Sequence, residues 1–280
     1  MSFSDFLASP PGRYVLDCEQ RLHDCAVPDI FGYHALQLGM PQIDTLRENR
    51  MPLRVFAFDR MPNGPLWTEP AGAAQRREVT VVTRFDELPF ASQSIDLVVM
   101  PHVLEFAEEP HQVLREADRI LVPEGQLIIT GFNPASLWGL RHWMSRLGVR
   151  PYLPRDGMLI ALPRIKDWLK LLSFEVSRGR FGCYAPWVRS EGWLSRWAFL
   201  EKAGDRWWPV LGSVYALTAV KRVRGMRLIG PAWKKREERR GTLAPAVTTQ
   251  RSHRTEDAFT VRVAAPGEAA NDTGARAAHG

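Results

Sequence analysis

The chain has 280 residues, 45% of them hydrophobic and 24% charged, with 21 glycines, 21 prolines and three cysteines. These proportions exclude a collagen-like repeat, a disulfide scaffold and a chain disordered throughout, and a chain this long buries enough surface to fold without metal or disulfide staples. The formal net charge of +6 is local: residues 221–240 hold nine Lys or Arg and two Glu, whereas the rest of the chain holds 28 basic and 29 acidic residues, so the basicity describes a flank and not the main body.

In chain order, Gly12 to Cys25 is expected to be helical, with Tyr14, Val15, Cys18, Leu22 and Cys25 sharing one face at spacings of three and four. A strand follows from Tyr33 to Leu38, ending at Gly39, then a helix-like stretch from Ile43 to Arg50 and a second strand from Leu53 to Phe58, closed by Asp59. Beyond a Pro/Gly-rich connector (Met61 to Ala73) come strands at Val79 to Thr83 and Ile95 to Met100, a helix at Val113 to Leu121 with Leu114, Ala117 and Leu121 inward, and a strand at Gln126 to Thr130. Strands separated by helical segments imply parallel β-α-β units with right-handed crossovers, hence a doubly wound α/β sheet. Such sheets bind ligands at the carboxyl ends of their strands. Here those ends are Gly39, Asp59, Arg84 to Asp86, Pro101 to Glu105 and Gly131 to Asn133.

Cys18, Cys25 and Cys183 form no C-x-x-C pair, which fits reduced thiols in a cytoplasmic compartment and argues against zinc. The amino-terminal residues lack the pattern of a secretory signal, and no run of 18 apolar residues occurs. From Gly241 onward small and polar residues dominate without an apolar period, so a disordered tail is expected. Eight of the ten tryptophans fall between Trp138 and Trp208, and Trp193, Leu194, Trp197 and Leu200 fit one helical stripe, either core packing or an aromatic roof over a substrate.

Residues 88–130 resemble the core of class I S-adenosylmethionine-dependent methyltransferases of the type 11 group. The resemblance rests on Leu88-Pro89-Phe90, the strand entry Ser94-Ile95-Asp96, the L-x-E-x-x-R-x-L helix from Leu114 to Leu121, and the P-x-G turn at Pro123 to Gly125. It implies a mostly parallel seven-stranded, Rossmann-like sheet. A late helix then falls at Arg164 to Phe174, a sixth strand at Glu175 to Arg180 and a seventh at Val214 to Lys221. The implied organisation is a helical extension (1–29), a methyltransferase-like domain (30–222), a basic flank (223–240) and the tail (241–280).

S-adenosylmethionine is the cofactor the resemblance implies, and its contacts fall on Gln37, Gly39, Asp59, Asp86 and Leu88 of this sequence. In the family an acidic residue and an apolar one precede G-x-G-x-G, whose glycines let the backbone approach the cofactor. Here the register is Gln37-Leu38-Gly39-Met40-Pro41-Gln42-Ile43, which keeps the first glycine alone. Asp59, 20 residues after Gly39, matches the acid that binds the ribose hydroxyls, although a strand-end turn residue is the equal alternative. Arg84 stands where an acid near adenine is expected, so Asp86 serves only with a shift.

His102 and Glu105 follow the fourth strand, where the family places residues facing the transferred methyl group; they are read as a base or substrate-orienting pair, or else as a cap. The leading expectation is methyl transfer to a small aromatic or lipophilic acceptor. The alternatives are a binding scaffold without turnover, motivated by Pro41 and Ile43, and a nucleic-acid binder acting through residues 221–240.

Overall fold

Apolar runs bounded by turn residues become the inner strands of a seven-stranded sheet. The computed structural model describes residues 2–61, 77–148, 152–154, 157–186, 204, 206 and 208–223. All belong to the first of two units, Met1–Leu228 and Ile229–Gly280, into which the chain divides. The predicted tail, most of the basic flank and the stripe from Trp193 to Leu200 lie outside the described residues.

The strands are β1 (His34–Leu38), β2 (Leu53–Phe58), β3 (Arg77–Val82), β4 (Ile95–Pro101), β5 (Leu121–Phe132), β6 (Phe174–Gly182) and β7 (Val214–Lys221). Their order is β3-β2-β1-β4-β5-β7-β6. The first five pair in parallel, and β7 runs antiparallel between β5 and β6. The expected mostly parallel, seven-stranded, doubly wound sheet is therefore the observed one. Strand order reverses between β1 and β4, so their carboxyl ends flank the crevice in which such sheets place a ligand. The inner strands are nearly all buried, as continuous apolar runs require. The exposed edge strand β3 carries Arg77 and Glu78, which discourage pairing with another chain.

The motif residues around β4 are structural. Asp96 accepts from the backbone N–H groups of Tyr33 and His34, both at 2.9 Å, and so fixes the entry to β1. Helix α4 (Pro110–Ile120) buries Val113, Leu114, Ala117 and Ile120 at helical spacing. Its exposed shoulder holds the Leu88-Pro89-Phe90 segment. Glu116 accepts from the Leu88 N–H at 3.0 Å, while Arg119 donates to the carbonyls of Leu88 at 2.9 Å and Phe90 at 2.8 Å.

Helices α1 (Phe3–Ala8) and α2 (Pro10–Ala26) form the amino-terminal extension, α2 starting on a Ser9 cap with Pro at its first positions. Helix α3 (Val103–Phe106) follows β4, and α5 (Leu137–Met144) and α6 (Leu162–Leu171) follow β5. The extension packs Phe6, Leu7, Val15 and Cys18 against Met40, Ile43, Phe132, Trp138 and Val214, so it sits over the carboxyl edge of the sheet.

Two local expectations are corrected. Residues 43–50 form turns and not a helix, because backbone groups there are claimed by side chains. Asp44 accepts from the Leu46 N–H, Asn49 from the Met51 N–H, and Gln37 binds Ile43 and Thr45. The inward face of α2 is also rotated from the predicted one: Cys25 is exposed, whereas Glu19 and His23 are fully buried beside Val15 and Cys18.

Candidate active site

The carboxyl ends of β1 to β4 enclose a cavity of about 690 Å3. Gly39 to Gln42 line it after β1, Asp59 and Arg60 after β2, Arg84 to Asp86 after β3, and Pro101 to Val103 with Phe106 after β4; Phe3 and Ser4 of α1 complete the wall.

The loop after β1 is shaped by one buried side chain. The Gln37 amide nitrogen donates to the carbonyls of Gly39 (3.2 Å), Met40 (3.1 Å) and Ile43 (2.9 Å), and its oxygen accepts from the N–H (2.9 Å) and hydroxyl (2.7 Å) of Thr45. An amide can do both; a carboxylate cannot donate. Gln37 therefore does not face the cavity as expected but holds the loop that edges it. Gly39 adopts φ +71, and a Cβ there would stand 3.3 Å from Val103 and 3.6 Å from Phe85, both cavity residues. Met40, also left-handed at φ 52, and Ile43 turn their side chains into the apolar cluster beneath the extension. Of the two residues that stand where the family motif has glycines, Ile43 is thus kept out of the cavity, whereas Pro41 lines it.

Asp59 lies exposed on the cavity wall at the end of β2. Asp86 also lines it, where Arg84 donates to its carboxylate at 3.0 and 2.5 Å. That guanidinium holds the Asp86 carboxyl below its ordinary range. Leu88, by contrast, is core, 4% exposed and clamped through its backbone by α4. The structure does not bring it to the cavity.

His102 and Glu105 are brought together as the helical spacing predicts, but with a third partner. His102 is 1% exposed and caps α3 with φ 54. Its Nδ1 lies 2.6 Å from Glu105 and its Nε2 2.5 Å from Glu19 of α2. The other Glu105 oxygen accepts from the Phe132 N–H at 2.6 Å. Burial works against the charged imidazole, yet Glu19 and Glu105 outweigh it and push His102 up to about 10. Burial raises Glu105, opposed by the His102 charge. One turn along α2, fully buried His23 is pushed down to about 4 by desolvation and stays neutral at pH 7. With both nitrogens donating to carboxylates, His102 is suited to holding the end of β4 in place and not to accepting a proton.

Glu19 and Phe3 are the residues of this edge that sequence reasoning misses. Two ionisable residues four apart on an otherwise apolar helix face, Glu19 and His23, were the available signal. Among the described residues no group of His, Cys, Asp or Glu is placed to hold a metal, and no helix is long and apolar enough to cross a membrane.

Comparison with known proteins agrees with this geometry. Residues 45–129 match the family model described as a methyltransferase domain. The uncharacterized protein YafS of Escherichia coli is 40% identical over 122 residues, 44% of this chain and 50% of that protein. The uncharacterized protein MJ1123 of Methanocaldococcus jannaschii is 29% identical over 108 residues, 38% of this chain and 52% of that one. The chain spans about half the length of these relatives. Among solved structures, a SAM-dependent methyltransferase of Thermotoga maritima superposes with a TM-score of 0.50 at 16% identity, covering 75% of this chain and 90% of the other. A chain of the complex that a Haloferax volcanii methyltransferase activator forms with a methyltransferase also gives 0.50, at 15% identity over 73% and 89%. These likenesses show the fold. Residues 45–129 thus match a methyltransferase domain model within a sheet that shares the fold of solved S-adenosylmethionine-dependent methyltransferases, and S-adenosylmethionine is the cofactor that this likeness implies.

Proposed function

We propose that the protein transfers the methyl group of S-adenosylmethionine to a small aromatic or lipophilic acceptor. The observation that carries this reading is the open cavity at the β1/β4 switch point, out of which Ile43 is kept by packing in the apolar cluster. When bound, the cofactor supplies an activated methyl group on a sulfonium that is already a good leaving group. What remains for the protein is to bind, to orient and to exclude water.

Gly39 would let the backbone come close, and Asp59, exposed on the cavity wall, would accept hydrogen bonds from the ribose hydroxyls. Asp86, already paired with Arg84, would stand toward the adenine of the bound cofactor. The Glu19–His102–Glu105 cluster fixes the left-handed turn after β4, and Phe3 with Phe106, whose ring centres are 4.4 Å apart, screens that edge from water. His102 and Glu105 serve in this reading as positioning residues. An acceptor that arrives deprotonated needs no base.

Titration calorimetry with S-adenosylmethionine tests the proposal. Binding is expected, and Asp59→Ala is expected to weaken it by roughly 1.5–3 kcal/mol, the range for hydrogen bonds to a charged group. No detectable heat at millimolar cofactor would favour a scaffold that has lost turnover, for which Pro41 on the cavity wall is the motivating feature. The reading as a nucleic-acid binder gains nothing from the described part of the basic segment. There, Lys221 pairs with Asp118 at 3.2 Å, and Arg222 pairs with Glu175 at 2.7 Å and with Glu124.

A further inference from the structure

Helix α5 follows β5 and is capped by Ser136, whose hydroxyl accepts from the Gly139 N–H at 3.1 Å. Trp138 and Gly139 face inward; a Cβ on Gly139 would stand 2.2 Å from the Pro134 carbonyl oxygen, so the helix backbone lies directly on the preceding chain. The outward side is apolar as well. Leu140 is 50% exposed and Trp143 58%, with Met158 at 54% and Leu211 at 46% across from them. Large apolar side chains gathered at one place on a surface mark a binding site more often than not.

Between them runs a groove of about 1,100 Å3. Among its described lining residues there is no Asp, Glu, Lys or Arg. Its two serine hydroxyls are engaged by backbone, Ser136 donating to the Asn133 carbonyl and Ser145 to that of His142, both at 2.6 Å. Apart from the imidazole of His142, the described lining is apolar or has its hydroxyls engaged, and it desolvates a hydrocarbon at little cost. Along α5 the groove extends about 12 Å, at 1.5 Å per residue.

One end of it abuts the cofactor cavity. Gly157 lines the groove, and a Cβ on it would stand 2.7 Å from the ring of Phe106, which lines the other cavity. The Met158 N–H donates to the Glu105 carbonyl at 2.8 Å, which fixes this partition. The two spaces are thus separated by the Phe106 ring and a glycine.

We propose that the groove along α5 holds an uncharged hydrocarbon chain of the methyl acceptor, the reactive end of which lies beyond Phe106 at the edge of β4. The proposal rests on the methyltransferase reading and narrows its acceptor. A chain, and not a flat surface, is favoured because the apolar face is concave and ends at the Phe106 ring, on whose other side lies the cavity in which the methyl group would be delivered.

The test uses the full chain without cofactor. N-phenyl-1-naphthylamine, an uncharged lipophilic fluorophore, is titrated in and then displaced with dodecan-1-ol. A saturable fluorescence rise reversed by dodecanol is expected, weakened at least tenfold by Leu140→Glu and by Trp143→Glu, with circular dichroism and S-adenosylmethionine affinity unchanged. A rise that does not saturate, or variants that bind the dye as the wild type does, would overturn it. So would co-sedimentation with phosphatidylcholine vesicles that Trp143→Glu abolishes and dodecanol does not compete, which would make the face a bilayer contact. A dimer that Leu140→Glu converts to monomer would assign the face to a second copy, with the same consequence. A wild-type chain that binds the dye but no S-adenosylmethionine removes the methyltransferase reading, and with it the acceptor assignment, while leaving an apolar site; the two failures are therefore separable.

Discussion

The Nε2 of His102, at the end of β4, lies 2.5 Å from the carboxylate of Glu19, a residue 83 positions earlier on α2 and outside the matched family region. The amino-terminal extension is thereby bonded into the edge at which the methyl group would be delivered.

Removing the cation of this cluster should cost more than neutralising one anion. His102→Ala leaves Glu19 and Glu105 buried and facing each other, an uncompensated arrangement expected to destabilise by about 3–5 kcal/mol. Glu19→Gln keeps shape and a hydrogen-bonding atom and should cost about 1–3 kcal/mol. Urea unfolding of the two variants measures the order; equal losses would mean that the cluster is not held by charge.

Stability should peak near pH 6.5 and fall on both sides, each side through a different histidine. His102 is raised from 6.5 to about 10, so its contribution is complete below pH 6.5 and is lost as pH rises toward 10. His23 is lowered from 6.5 to about 4, so its contribution is present above pH 6.5 and is lost as pH falls toward 4. Melting temperatures across pH 4–10 should show both limbs. His23→Leu should flatten the acid limb and His102→Gln the alkaline one; a profile unchanged by either substitution would contradict the assignment.

Gln37→Glu should damage the loop more than its near-identical shape suggests. The amide nitrogen faces three carbonyl oxygens, and a carboxylate oxygen there faces them without a proton to share. Each buried acceptor left without its donor costs about 1–3 kcal/mol. A lower melting temperature and weaker S-adenosylmethionine binding are expected together, since the same loop edges the cavity. Gln37→Glu that melts like the wild type would show that the loop is held by other contacts.

Much of this architecture could be read locally. Leu53 to Phe58 and Val214 to Lys221 are apolar runs with clear ends, and both are strands at those bounds. Leu88-Pro89-Phe90 and the Leu114 to Leu121 helix are spaced pieces of one packing unit, and Glu116 and Arg119 join them. The site was less legible wherever a side chain acts on distant backbone. The stretch from Ile43 to Arg50 has helical spacing, but Gln37, Asp44 and Asn49 compete for its N–H and C=O groups. His102 and Glu105 have a local signature; their link to Glu19 has none, because it spans two folded elements.

Gly39 offers a test in which backbone strain and steric fit can be separated. Its φ of +71 is a conformation that an alanine adopts at a cost of about 1–2 kcal/mol, and the added methyl would enter the space between Val103 and Phe85, 3.3 and 3.6 Å away. Gly39→Ala should therefore lower stability modestly and S-adenosylmethionine affinity by at least tenfold. Val103→Ala in the same chain makes room for the methyl group without relieving the backbone. The double variant should regain much of the affinity while its melting temperature stays low or falls further, because Val103 is itself buried. If the second substitution restores nothing, the loss in Gly39→Ala comes from a shifted loop, and the close approach of backbone to cofactor at this position is the wrong account.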